Sequence, residues 1–133
     1  LARVGGKYSD EWHVAHMLKP QAVVPESIMP GYRYMFETPL SVHDIAEHLR
    51  VNRVVGVPYT DDMIANAAID LIAQATVDGD GEEALMKRYP GANVRDFDGK
   101  PGELTELDAL IAYLQVLGSM VDFSAYKANE NLR

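Results

Sequence analysis

Four prolines, Pro20, Pro25, Pro30 and Pro39, punctuate one short stretch of the chain. Each lacks a backbone N–H, fixes its own φ, and biases the residue before it toward extended geometry. No long helix or central strand can therefore run through residues 20–40. Inside that stretch lies Pro25-Glu26-Ser27-Ile28-Met29-Pro30-Gly31-Tyr32, an apolar loop braced by two prolines with Met29 near its centre. Such a loop can hold one side chain in a defined direction. A thioether is a soft ligand that suits haem iron. It also fills irregular gaps in apolar cores, and spacing alone leaves both roles open.

Helical periodicity frames the loop on both sides. Ser9 can cap a helix that carries Asp10 and Glu11 in its first turn and stops before Pro20. Trp12, Val14, Ala15, Met17 and Leu18 make that helix apolar around much of its circumference. A second helix is expected from Ser41, with Asp44 in a capping-box-like position and Val42, Ile45, Ala46 and Leu49 as its stripe. Thr60 caps a third, whose apolar residues repeat from Met63 to Ala75. A short helix over 82–89 should end at Pro90-Gly91, and Val94–Phe97 reads as a short extended piece. Thr105 and Asp108 open a last helix with Leu107, Leu110, Ile111, Leu114 and Leu117 on one stripe and Gly118 as its stop. Residues 119–133 read as a polar tail. A chain of 133 residues in which 47% are hydrophobic is read as one domain spanning 1–133.

Charge narrows the function classes. Residues 1–59 carry six acids and six bases, and residues 60–133 carry fourteen acids and six bases, so the net charge of -8 lies wholly in the second half. Nucleic acid, which needs a basic footprint, is excluded as a partner. An acidic surface can steer a basic protein or simply aid solubility. The chain has no cysteine, hence no disulfide, no thiolate metal site and no thiol nucleophile. No run of about 18 apolar residues is present to span a bilayer.

Other metal patterns fail. His13 and His16 share a helical face, a spacing that can bind zinc or copper, but no third ligand accompanies them in sequence. His43 and His48 do not share a face. An EF-hand loop starting at Asp78 would need Gly at 83 and Glu at 89, where the chain has Glu83 and Tyr89. One starting at Asp96 meets Pro101 and Leu107 in those places. Both stretches read as solvated turns. No set of paired carboxylates or Ser-His-Asp signature points to acid–base or nucleophilic catalysis.

Several blocks together carry a family resemblance: Leu1 to His13, Pro25 to Tyr32, Gly56-Val-Pro-Tyr-Thr60, Val94 to Gly99 and Thr105 to Gln115. They resemble the distal half of a class I cytochrome c domain, and most closely the mono-haem subunit II of cbb(3)-type cytochrome c oxidases, the FixO/CcoO family. The resemblance implies a mainly α fold: an incomplete class I cytochrome c-like helical domain with a helical insertion around 82–89. It implies that Met29 is the distal axial ligand of haem iron in the intact subunit, with Ile28, Pro30 and Tyr32 lining the pocket. Met35 is the rival thioether, without the proline brace.

The family attaches haem c through Cys-x-x-Cys-His, which this chain lacks. In the family that motif and a membrane-spanning helix lie upstream of the segment matching Leu1. The chain is thus expected to be a soluble C-terminal fragment, haem-free by itself, from a subunit anchored at the periplasmic face of the bacterial inner membrane. The resemblance further implies a non-catalytic electron-transfer role toward the oxygen-reducing subunit. The implied partners are the other oxidase subunits and a soluble or membrane-bound cytochrome c. Self-association of the fragment is expected where the last helix lacks its usual packing partner. The alternative reading is a non-haem acidic helical module for protein interaction, with Met29 in its core.

Overall fold

The computed structural model describes residues 3–77 and 79–119. Among these residues the chain forms seven α-helices and no named strand. They are α1 (Asp10–Leu18), α2 (Tyr34–Glu37), α3 (Ile45–Val54), α4 (Asp61–Ala65), α5 (Ala67–Ala75), α6 (Glu82–Arg88) and α7 (Glu106–Val116), and a 3-10 turn, Pro20–Ala22, follows α1. The expected mainly α architecture is what the chain adopts. No helix among the described residues is long and apolar enough to cross a membrane.

The helix starts are chemical. Ser9 Oγ accepts from the N–H of Trp12, and Thr60 Oγ1 from the N–H of Met63, each satisfying a donor that the first turn leaves unpaired. Thr105 and Asp108 form a reciprocal capping box at α7. Gly118, with φ of +77°, turns the chain out of α7.

Two apolar clusters hold the helices. In the first, Met17, Phe97, Leu107 and Ile111 are buried, with Val14, Met29, Tyr32, Met35 and Phe36 packed against them. Leu107 and Ile111 have no exposed surface, and each contributes roughly 1.5–3 kcal/mol by leaving water. In the second, Leu49, Ile64 and Ala67 join α3, α4 and α5. The stripe of α7 is unevenly covered: Leu107 and Ile111 are buried, whereas Leu110, Leu114 and Leu117 are half-buried and Tyr113 is exposed.

Four expectations are corrected by the tertiary structure. α3 begins at Ile45, not Ser41, and Asp44 makes no side-chain cap. The reason lies in the preceding chain: Pro39 bridges to Thr105, and the N–H of Leu40 donates to the carbonyl of Leu104 at 2.9 Å, which holds this segment extended. The single helix expected over 61–75 is broken at Asn66 into α4 and α5. Asn66 Nδ2 donates to the Asp62 carbonyl at 2.9 Å and to its carboxylate at 3.0 Å, and such local side-chain bonds favour a turn over helix continuation. The proline-rich stretch contains the one-turn α2, which the sequence pattern did not indicate. Val94–Phe97 is irregular, not a strand. Asp78 and nearly all of the expected tail, residues 120–133, lie outside the described residues.

Candidate functional site

The Met29 loop is docked on the C-terminal end of α1. The N–H of Tyr32 donates to the Met17 carbonyl at 2.7 Å. A Cβ on Gly31 would lie 2.7 Å from the Leu18 carbonyl oxygen, so only glycine permits this approach. Within the loop, Ser27 Oγ accepts from the N–H of Met29 at 3.2 Å. Gln21, on the 3-10 turn, donates through Nε2 to the carbonyls of Ser27 at 2.8 Å and Met29 at 3.2 Å. The prolines limit φ and these bonds hold the remaining freedom.

Met29 itself is half-buried and packs against the Met17, Phe97, Leu107 and Ile111 cluster. Tyr32 is half-buried in the same place, Pro30 is exposed, and Ile28 is fully exposed. Met35, on α2, packs on the same cluster. The structure thus brings Met29, Tyr32 and Met35 together on one apolar surface and leaves Ile28 pointing away from any described part of the chain.

These features fit one half of a haem c site. The donor set holds a thioether on a braced loop, and no cysteine is present to form the covalent links. Met29 would hold the iron from the distal side, and the apolar wall around it would exclude water there. A proximal ligand would have to come from outside this set.

His13 is buried, and its ring lies edge-on to Tyr8 at 6.1 Å and to Trp12 at 5.4 Å between centroids. Its Nε2 is buried with no hydrogen-bond partner. Burial pushes its pKa down, against the pull of Asp10 and with a smaller push from His16. Among the described residues no group of three candidate metal ligands includes His13 or His16.

One such group does exist, and it was not visible in the sequence. Asp96, Asp98 and Asp108 bring carboxylate oxygens within 4.8 Å of one another, and Asp98 and Asp108 are buried. The Asp96–Gly99 stretch is therefore not the solvated turn expected. Asp108 accepts from the N–H groups of Phe97 at 3.2 Å, Asp98 at 3.0 Å and Thr105 at 2.9 Å. Thr105 Oγ1 donates to Asp98 at 2.7 Å, and Asp96 accepts from the N–H of Gly99 at 2.8 Å. Burial pushes the Asp108 pKa up, partly offset by the backbone donors. These bonds make the cluster a brace for the start of α7. The capping-box spacing Thr105-x-x-Asp108 was its only sequence signal.

A cavity of about 440 Å³ lies elsewhere, lined by Ile45, Leu49, Tyr59, Leu71, Leu85 and Val116 among others. Met29 is not among its walls.

Comparison with curated proteins finds no match. A family profile described as cytochrome c oxidase, mono-haem subunit/FixO, matches residues 1–121. That span takes in the Met29 loop, the Asp108 brace and every helix from α1 to α7. The chain belongs to the FixO family, the mono-haem subunit of cbb(3)-type cytochrome c oxidase, an electron-transfer subunit of a membrane-bound oxidoreductase complex.

Proposed function

We propose that this chain is the distal, soluble part of that subunit, a single cytochrome c-like domain in which Met29 supplies the distal axial ligand to haem iron. The observation that supports the reading is the docking of the Met29 loop: two prolines, the close approach of Gly31 to Leu18 and the Tyr32–Met17 hydrogen bond restrain the backbone that carries one thioether. The haem, when bound, supplies the one-electron chemistry, and an axial methionine raises its potential. The residues of this chain orient the sulfur and keep water from it. Outer-sphere electron transfer needs no acid, base or nucleophile.

In this role the domain relays electrons toward the oxygen-reducing subunit without catalysis by this chain. The proximal histidine and the thioether anchors come from a Cys-x-x-Cys-His segment of the longer subunit, and the domain lies at the periplasmic face of the inner membrane. Partners are the other oxidase subunits and an electron-donating cytochrome c. Exposed Val51, Val54 and Val55 at the end of α3 offer apolar surface for a subunit contact, or for self-association of the isolated chain. That same patch is what favours the second reading, a haem-free interaction module with Met29 as core.

A haem c peptide that carries its own Cys-x-x-Cys-His and one open axial position separates the two. Titrated with this chain, it should gain the far-red sulfur-to-iron charge-transfer band and quench Trp12, the chain's single tryptophan. The band should vanish in Met29→Ala. A band unchanged in Met29→Ala, or no band with the unsubstituted chain, rejects Met29 as the ligand and leaves the interaction module.

A further inference from the structure

Gln21 is not part of the apolar loop, yet its side chain grips it. Its one amide nitrogen carries two N–H donors. They go to the carbonyls of Ser27 and Met29, eight residues from Gln21 at the farther one. The Ser27 hydroxyl takes the Met29 N–H from the other side. Both backbone polar groups of Met29 are therefore held by side chains, and the ring of Pro30 restrains the next step of the backbone. Gln21 itself is rooted by the 3-10 turn, where Pro20 is buried and the N–H groups of Val23 and Val24 donate to its carbonyl at 3.2 and 2.9 Å. The clamp thus ties the Met29 peptide to the end of α1 by a path separate from the Tyr32–Met17 bond.

We propose that Gln21 is the positioning residue for Met29: its bridging amide presets the direction in which the thioether meets the iron. The inference rests on the reading of Met29 as distal ligand. A loop left to itself samples many backbone states, and ligation from such a loop loses affinity to the cost of ordering it. The clamp removes part of that cost before the haem arrives. Gln21 touches neither iron nor porphyrin in this scheme and acts only through the backbone of Met29.

The test has two arms. In the haem-free chain, amide hydrogen exchange reads the clamp directly. Gln21→Leu and Gln21→Glu, which carry no side-chain N–H, should speed exchange of the Met29 N–H by roughly 3- to 10-fold, the scale expected for losing one or two modest hydrogen bonds. Exchange in α7 should not change. Gln21→Arg, which keeps donors, should restore the slow rate. In the second arm the haem c peptide is titrated with each variant. The donor-less variants should need several-fold more protein to reach the same charge-transfer band, and Gln21→Arg should recover it.

Unchanged exchange and an unchanged titration in Gln21→Leu overturn the proposal, while loss of the band in Met29→Ala would leave the ligand reading standing. Faster exchange with an unchanged titration makes Gln21 a structural brace only and also overturns it. A band that survives Met29→Ala, or never forms, removes the ligand and the proposal with it.

Discussion

Tyr32 and Met17 are joined by a 2.7 Å hydrogen bond from the N–H of Tyr32 to the Met17 carbonyl, and this bond fastens the methionine loop to the end of α1. Helix C-terminal carbonyls lack intrahelical partners. Here the loop supplies one, and Gly31 makes the approach possible.

Gly31→Ala should break that contact. Its Cβ would lie 2.7 Å from the Leu18 carbonyl oxygen, a backbone atom that cannot swing aside. The expected loss is about 1–3 kcal/mol, as for other forced overpacking. Urea denaturation measures it, and faster exchange confined to residues 25–32 would show that the loop has lifted. Wild-type stability in the variant would mean that the loop is not held at this point.

Arg88 grips the buried Asp70 with two bonds, Nε at 2.7 Å and Nη2 at 2.5 Å, and joins α6 to α5. The hydrogen bond to Asp70 pushes the already high guanidinium pKa further up. Arg88→Leu should lower the melting temperature, because it strands a carboxylate that is 4% exposed. Adding Asp70→Leu should recover much of the loss by removing the stranded charge. If the double variant is no better than the single, the cost lies in packing rather than in the charge.

His13→Phe should preserve the edge-on contacts with Trp12 and Tyr8 while deleting the unpartnered Nε2. At pH 7.5 the variant is expected to gain about 1 kcal/mol, the lower end of the cost of a buried unsatisfied polar atom. Acid should widen the gap. The native imidazole has a pKa below the unfolded value of 6.5, so the unfolded state binds the proton first. The contribution of neutral His13 is complete above pH 6.5 and is lost as the pH falls through the lower native value. Denaturation curves at pH 7.5 and 5.5 decide this, and equal pH dependence in both proteins would refute it.

Asp108→Asn places an amide N–H against the N–H of Thr105 or removes acceptors from Phe97 and Asp98. The expected cost is about 1–3 kcal/mol. Its pH dependence runs opposite to that of His13. Burial raises the native carboxyl pKa above 3.8, so the native state takes up the proton first as pH falls. The Asp108 contribution to wild-type stability therefore grows as the pH is lowered through that raised value toward 3.8. The deficit of Asp108→Asn should be larger at pH 4.5 than at pH 7. A deficit that shrinks with acid would show that Asp108 is held ionised by its donors.

Short-range chemistry is legible in the sequence alone. Ser9, Thr60 and Thr105 start helices because a side-chain oxygen three residues from a free N–H acts without help from the rest of the fold. Pro25 and Pro30 mark the Met29 loop for the same reason, since a ring fixes φ wherever the chain goes. The family was also legible, in blocks from Leu1 to Gln115. The remaining features depend on residues that meet only after the chain has folded. Leu40 pairs with Leu104, which delays α3 to Ile45, and Asp98 pairs with Asp108, which turns an apparent surface turn into a buried brace. The Gln21 clamp is closer in sequence but equally hidden, because glutamine has no fixed preference for distant carbonyls. Its bonds form only once the proline turns have bent the chain back upon itself.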